Sequence, residues 1–236
     1  MNELKNIPDY LLILQINDAL FPIGSYTQSY GLETYVQKQT INDVYTLKKY
    51  LVQNLEINLL YSDILAVKLG YEAAQSHELD HVIELDSILS ATKAALETRS
   101  ASIKLSSRFI KTISAFNLEF KNEIFNQYIN LVNENKCLGH YALTYGILCG
   151  ALNLDKSSAI LHFSYAQASG IINNGVKLIP LSQTSGQVLL RDMQVHINSV
   201  VLKVEYLTID DLGRTAPGFE LRSMQHETLY SRLYMS

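Results

Sequence analysis

His77-Glu78-Leu79-Asp80-His81 spells H-E-x-x-H. On one helix, histidines four apart face the same side and can hold zinc, with Glu78 as base for a metal-bound water. A catalytic zinc also needs a third protein ligand and an open position. The extended pattern H-E-x-x-H-x-x-G-x-x-H is absent, nothing singles out Glu97 as the third ligand, and Asp80 puts a charge between the histidines. The plainer expectation is a solvated turn joining two helices. A zinc-dependent hydrolase built on His77, Glu78 and His81 is the alternative enzyme reading. Cys137-Leu138-Gly139-His140 also has metal-ligand spacing, with Cys149 twelve residues on. A structural zinc site wants four ligands, and no second tight pair exists. Two cysteines beside an apolar helix read as small core hydrophobes. The chain lacks G-x-x-x-x-G-K-[ST], G-x-G-x-x-G and G-x-S-x-G, so neither a phosphate cradle nor a nucleophile elbow of those types is encoded. We assign no catalytic residue and no metal ligand.

Helices must position whatever these residues do. The prolines are Pro8, Pro22, Pro180 and Pro217, and the stretch from 23 to 179 has none, which favours long helices. Val44, Leu47, Leu51, Leu55 and Leu59 recur at steps of three and four, as do Leu189, Met193, Ile197, Val200 and Val204. Each set makes one apolar stripe on a helix. Asn42 or Asp43 is placed to cap the first, and Asp155 to cap a helix running to about Leu178. The pattern predicts helices over 9–19, 26–38, 43–60, 62–77, 81–93, 95–115, 119–134, 139–152, 156–178 and 185–206. Segment 198–207 has strand-like composition, but the four-residue step runs through it. Ser25 with Gln28, and Thr184 with Gln187, have capping-box spacing just after Pro22 and Pro180. With no internal repeat or linker, we expect an all-α, single-domain bundle of about ten helices over 1–207, followed by a tail, 208–236.

Composition narrows the function classes. The 236 residues carry a net charge of −4, which excludes a strongly basic nucleic-acid binder. Charged residues are 18%, against about 25% in ordinary globular chains. Hydrophobic residues reach 47%, with 15 tyrosines and no tryptophan. So sparing a charge suits surfaces that meet partners. Tyr141 to Leu152 is the longest near-apolar stretch. It falls short of the ~20 residues a membrane span needs and reads as a core helix. Met1-Asn2-Glu3-Leu4-Lys5 does not open a signal peptide, and two cysteines suit a reducing compartment, so a cytoplasmic location is expected. The tail carries Arg214, Arg222 and Arg232, half of the six arginines. By itself it reads as a solvated end, or as a segment that orders on a partner through its arginines and Leu221, Met224, Tyr230 and Leu233.

Three segments carry a resemblance. Phe21-Pro22-Ile23-Gly24-Ser25-Tyr26-Thr27-Gln28-Ser29-Tyr30-Gly31-Leu32-Glu33 resembles the opening motif of the urease accessory protein family UreF. Lys177-Leu178-Ile179-Pro180-Leu181-Ser182-Gln183-Thr184-Ser185-Gly186-Gln187 is similar to its K-L-[IV]-P-L region. Met224-Gln225-His226-Glu227-Thr228-Leu229-Tyr230-Ser231-Arg232-Leu233-Tyr234-Met235-Ser236 is similar to its closing motif. The matches keep family order. Phe21 and Tyr234 stand where Leu and Phe are common, and both remain apolar. The resemblance implies an all-α protein without catalytic activity or cofactor that forms homodimers. It would bind UreD (also called UreH), recruit the GTPase UreG, and couple GTP hydrolysis to nickel insertion into apo-urease. Lys177, with Gln183 and Gln187 of the same motif, falls in the region tied to the GTPase. Lys177 also suits the end of a helix, where a cation complements the dipole. Arg222, Met224, His226, Glu227, Tyr230, Ser231 and Arg232 fall in the tail expected to order on UreD. Tyr165 is a candidate for the dimer interface. A third reading is a direct nickel carrier using His226, Cys137 or His140.

Overall fold

The computed structural model describes residues 7–214 and 216–235. Met1–Asn6, Thr215, and Ser236 at the end of the closing motif lie outside the described residues. The described residues form α-helices, two 3₁₀ turns and a π-helical segment, with no strand. In chain order the helices are α1 (Ile7–Ile16), α2 (Leu32–Gln37), α3 (Val44–Gln53), α4 (Leu65–Gln75), α5 (Leu79–Thr92), α6 (Leu96–Ser114), α7 (Ile124–Asn133), α8 (Tyr141–Ala151), α9 (Lys156–Leu178), α10 (Gln183–Val204) and α11 (Pro217–His226). The all-α expectation holds, and its two long apolar stripes are core-facing: Leu47, Leu51, Leu55 and Leu59 are buried, as are Leu189, Met193, Ile197, Val200 and Val204. Each such side chain contributes about 1.5–3 kcal/mol through removal from water. The four-residue step also wins over the strand-like composition of 198–207, since α10 continues to Val204.

Two of the expected caps form. The Asp43 carboxylate accepts from the Thr46 amide at 2.8 Å, while the Thr46 hydroxyl accepts from the Asp43 amide at 3.1 Å. Asp155 accepts from the Ser158 amide at 2.7 Å. The two boxes placed after the prolines do not form. Ser25–Thr27 is an isolated 3₁₀ turn; Gln28 lies beyond it in extended backbone and donates to the Thr27 hydroxyl instead. Helix α10 begins two residues earlier than its pattern suggested, and Ser182 caps it by accepting from the Ser185 amide at 3.0 Å.

Two expected helices are also redrawn. The span 26–38 contains only the 3₁₀ turn and α2, because Tyr30 (φ 51°) and Gly31 (φ 83°) adopt left-handed backbone and restart the chain. Conversely, no break occurs near residue 61. Helices α3 and α4 are joined by Asn54–Ile64, wound as a π-helix, into one unbroken rod. Tyr61 is neither a breaker nor a cap, so nothing local ends the helix there.

The middle of the molecule is α8, whose residues are all buried. It lies against α4 at glycine distance. A Cβ on Gly150 would stand 2.5 Å from the Tyr71 carbonyl oxygen, and one on Gly146 would collide with the Val67 carbonyl oxygen. The faces of Phe109, Tyr141, Tyr145 and Phe163 pack around this contact, with ring centroids 5.2–6.4 Å apart, an aromatic cluster of the usual tilted kind. No helix among the described residues is long and apolar enough to cross a membrane.

Candidate functional site

The zinc reading of His77-Glu78-x-x-His81 is overturned by the backbone. His77 has φ 60° and is the left-handed residue that closes α4. Its amide bonds to the Ala74 carbonyl and the Glu78 amide to the Ala73 carbonyl, the paired pattern that ends a helix. His81 belongs to the first turn of the next helix, α5, and faces Glu84 at 3.4 Å. His77 therefore lies in the turn beyond α4, and His81 on α5. No group of three or more His, Cys, Asp and Glu among the described residues is arranged to hold a metal.

The Cys137–His140 loop is built for packing. Asp86, itself buried, accepts from the Tyr128 hydroxyl (2.7 Å) and from the Leu138 and Gly139 amides (2.8 and 2.9 Å), which pins the loop. Burial pushes the Cys137 thiol up to about 11 and the Cys149 thiol up to about 12, so both stay protonated and are poor metal ligands at neutral pH. His140 is fully buried, its Nε2 2.9 Å from the Ser90 hydroxyl and its Nδ1 3.3 Å from that of Ser102. Burial, with the nearby Lys93 charge, pulls this imidazole down to about 4. An unfolded chain takes up this proton near pH 6.5. Unfolding therefore gains a proton between about pH 6.5 and 4, and stability falls as pH drops through that window, by roughly 3 kcal/mol. The contribution is complete above about pH 7. Urea denaturation of His140→Gln is expected to show a flatter acid limb than the parent; equal limbs would show that other groups carry it.

The three motif segments, far apart in sequence, meet in space. The opening motif turns over Phe21 and Ile23, both buried, with the Ile23 carbonyl accepting from Arg108 at 3.0 Å. The Gln28 carbonyl accepts from Asn174 at 2.7 Å, tying the turn to α9 three residues before Lys177. Lys177 is exposed in the last turn of α9, where it faces the helix dipole. Lys177, Gln183, Tyr165 and Gln28 line one open cleft between α9 and the opening segment. Gln187 is exposed one turn further along α10.

The closing segment, read from sequence as a solvated end or as a tail ordered by a partner, here packs on its own chain. Gly31 makes this possible, since a Cβ there would stand 2.9 Å from the Ser223 amide nitrogen. Thr34 donates to the Arg222 carbonyl (2.9 Å), Gln37 to the Ser231 carbonyl (2.8 Å), and the Met235 amide to the Thr27 carbonyl (2.9 Å). The Arg222 guanidinium lies over the Tyr35 ring at 5.5 Å, within cation–π range.

A buried ion cluster locks this arrangement. His226, fully buried on α11, has Nε2 3.1 Å from Glu33 and Nδ1 2.6 Å from Glu97. A carboxylate oxygen thus stands within hydrogen-bond distance of each ring nitrogen. Glu33 also accepts from the Leu233 and Tyr234 amides (2.8 and 3.1 Å), and Glu97 pairs with Arg232 at 2.6 Å. Two carboxylates thus meet the His226 imidazole and the Arg232 guanidinium. Sequence reasoning missed Glu33 and Glu97 in this role. Glu33 stood inside a quoted motif, whereas Glu97 carried no signal, because its partners are 129 and 135 residues away.

The predicted tail residues separate into two groups. His226 and Arg232 belong to the lock, and Arg222 is half-buried against α2. Met224, Glu227, Tyr230 and Ser231 face outward, with Leu221, Leu233 and Met235 beside them. Tyr230 is fully exposed. Tyr165 is exposed on α9 near Leu161, on a face shared with Tyr10, Leu11 and Leu14 of α1; the Tyr10 ring meets His162 edge-on at 5.5 Å.

The three motif segments thus converge on one side of the helical body, where the closing segment displays apolar side chains. A sequence model of the UreF family matches residues 41–194. A urease accessory protein UreF from Actinobacillus pleuropneumoniae serotype 5b is 35% identical over 225 residues, covering 95% of this chain and 97% of that protein. Those from Bacillus sp. (strain TB-90) and Haemophilus influenzae (strain ATCC 51907) are 34% and 36% identical, over 96% and 98% of this chain and 98% and 97% of theirs. The chain belongs to the UreF family of urease accessory proteins.

Proposed function

We propose that this protein is a non-catalytic adaptor in urease maturation. It joins UreD/UreH to the GTPase UreG and couples GTP hydrolysis to nickel insertion into apo-urease. Nickel is the cargo of that assembly, and the reading gives this chain no resident metal or cofactor. The observation that carries the reading is the locked closing segment: it holds a row of apolar side chains out to solvent where isolated hydrophobes would otherwise be left wet. In this reading Met224, Glu227, Tyr230 and Ser231, with Leu221 and Leu233, meet UreD. Arg222, His226 and Arg232 hold them in register. Lys177 and Gln183 at the cleft, with Gln187 one turn further along α10, face UreG. Tyr165 and the apolar face of α1 join two copies into a homodimer, and the assembly works in the cytoplasm.

The test separates display from folding. Met224→Ala with Tyr230→Ala is expected to leave the unfolding midpoint unchanged, because both side chains are exposed. It should weaken UreD capture about 30-fold or more, the effect of losing an anchor residue worth ~2 kcal/mol. Lys177→Ala should retain UreD but lower urease activation under limiting nickel. Undiminished capture by the double variant sinks the tail assignment, and undiminished activation by Lys177→Ala removes the role of that cation.

A further inference from the structure

Behind α11 lies a partly open cavity of about 60 Å³, lined mainly by the π-helical segment, α6, α9 and α11. Unusual features meet at its wall. The π-helical run is eleven residues long, although this winding normally appears as a single turn and often at functional sites. It turns Asn54, Asn58 and Ser62 to the cavity. Tyr30, also in the wall, holds the left-handed φ noted above, a costly conformation for a bulky residue. The Asn54 carboxamide oxygen, on a residue 2% exposed, has no hydrogen-bond partner among the described residues, nor does the Thr98 hydroxyl. A buried acceptor left in that state costs about 1–3 kcal/mol.

Charge and shape narrow what would satisfy these groups. Lys93 is closed on Asp63 at 2.9 and 3.0 Å, so that pair is neutral. Glu220 accepts from the Ala95 amide at 2.8 Å, and no ion pair among the described residues includes it. Among the charged side chains of the wall, Asp63 and Glu220 thus face Lys93 alone, beside the unpartnered Asn54 oxygen and Thr98 hydroxyl. The rings of Tyr141, Phe163 and Phe219 complete it, and aromatic faces attract cations. An anion would meet acceptors and a carboxylate. A transition metal favours nitrogen or sulfur ligands, and no His or Cys lines the cavity.

We propose that this cavity binds an ammonium-type cation, either ammonium or a short primary alkylammonium. Its N–H groups donate to Asn54, Thr98 and Glu220, and its charge rests against the aromatic wall. The site goes beyond the adaptor reading and does not depend on it.

The full chain, exchanged into tetramethylammonium buffer, is titrated with ammonium, methylammonium, potassium or sodium chloride at constant ionic strength. Unfolding midpoints and the ¹⁵N signal of labelled ammonium are followed. Ammonium or methylammonium should raise the midpoint saturably, by about 3–5 °C at tenfold excess over the dissociation constant; the larger of the two shifts identifies the natural headgroup. Sodium should give no saturable shift. Asn54→Leu should abolish the ammonium response while leaving basal stability equal or higher, since an unpaired acceptor is gone; Thr98→Val is the second variant if the first fails to fold. An equal response to potassium overturns the donor-cation reading. No selective response in the parent, meaning a cavity that holds water only, overturns the site, as does an ammonium shift retained in the variants. UreD capture by the same preparations reports separately on the adaptor reading.

Discussion

His226→Ala is expected to cost about 3–5 kcal/mol, the scale for removing one partner of a buried ion pair. The substitution leaves Glu33 and Glu97 facing a void, without the ring that bridges them. Arg232 meets only the outer edge of Glu97. The loss should appear first as release of the closing segment: trypsin should cut at Arg222 and Arg232 well before the body unfolds, and UreD capture should fall with it. Arg232→Ala is the internal comparison. Its pair is partly exposed, and such pairs are worth about 0–1 kcal/mol. If the two variants lose the same stability in urea denaturation, the buried cluster is not what holds the segment down.

Gly146→Ala should destabilise the body by about 3 kcal/mol or more, at the upper end of the overpacking range. The added methyl meets the Val67 carbonyl oxygen of α4, and a backbone atom has no rotamer by which to step aside. The α4–α8 contact must open, and both helices run through the centre of the core. Gly170→Ala makes the same chemical change in α9, where nothing stands within 4 Å of the new Cβ. It should stabilise by about 0.5–1 kcal/mol, since Gly is a poor residue within a helix. Equal effects at the two glycines would show that helix propensity, not the approach of α8 to α4, governs these positions.

Local signals were legible wherever the force that decides them acts within a few residues. Asp43 and Asp155 cap because a short acceptor beside a helix start finds its amide three residues on. The α10 stripe is buried because its period matches the helix. The same local logic placed a turn at His77-Glu78. It misjudged Ser25 and Thr184, where the spacing of a capping box is present but the helix begins elsewhere. It also placed a break at residue 61, which the π-wound rod runs through. Those outcomes depend on what the backbone packs against, and spacing does not record that.

From sequence alone came the all-α class, most of the helices, the three motif segments and their order, and the resemblance to the UreF family. These rest on local periodicity, capping and motif identity. Tertiary structure alone decided that the opening and closing segments form one surface, that Glu33 and Glu97 grip His226 across 193 and 129 residues, and that His140 is held neutral inside the core. The reason is the cost of removing charge from water. Whether a carboxylate or imidazole is solvated, paired or neutralised depends on the groups the fold sets opposite it, and those groups come from remote parts of the chain.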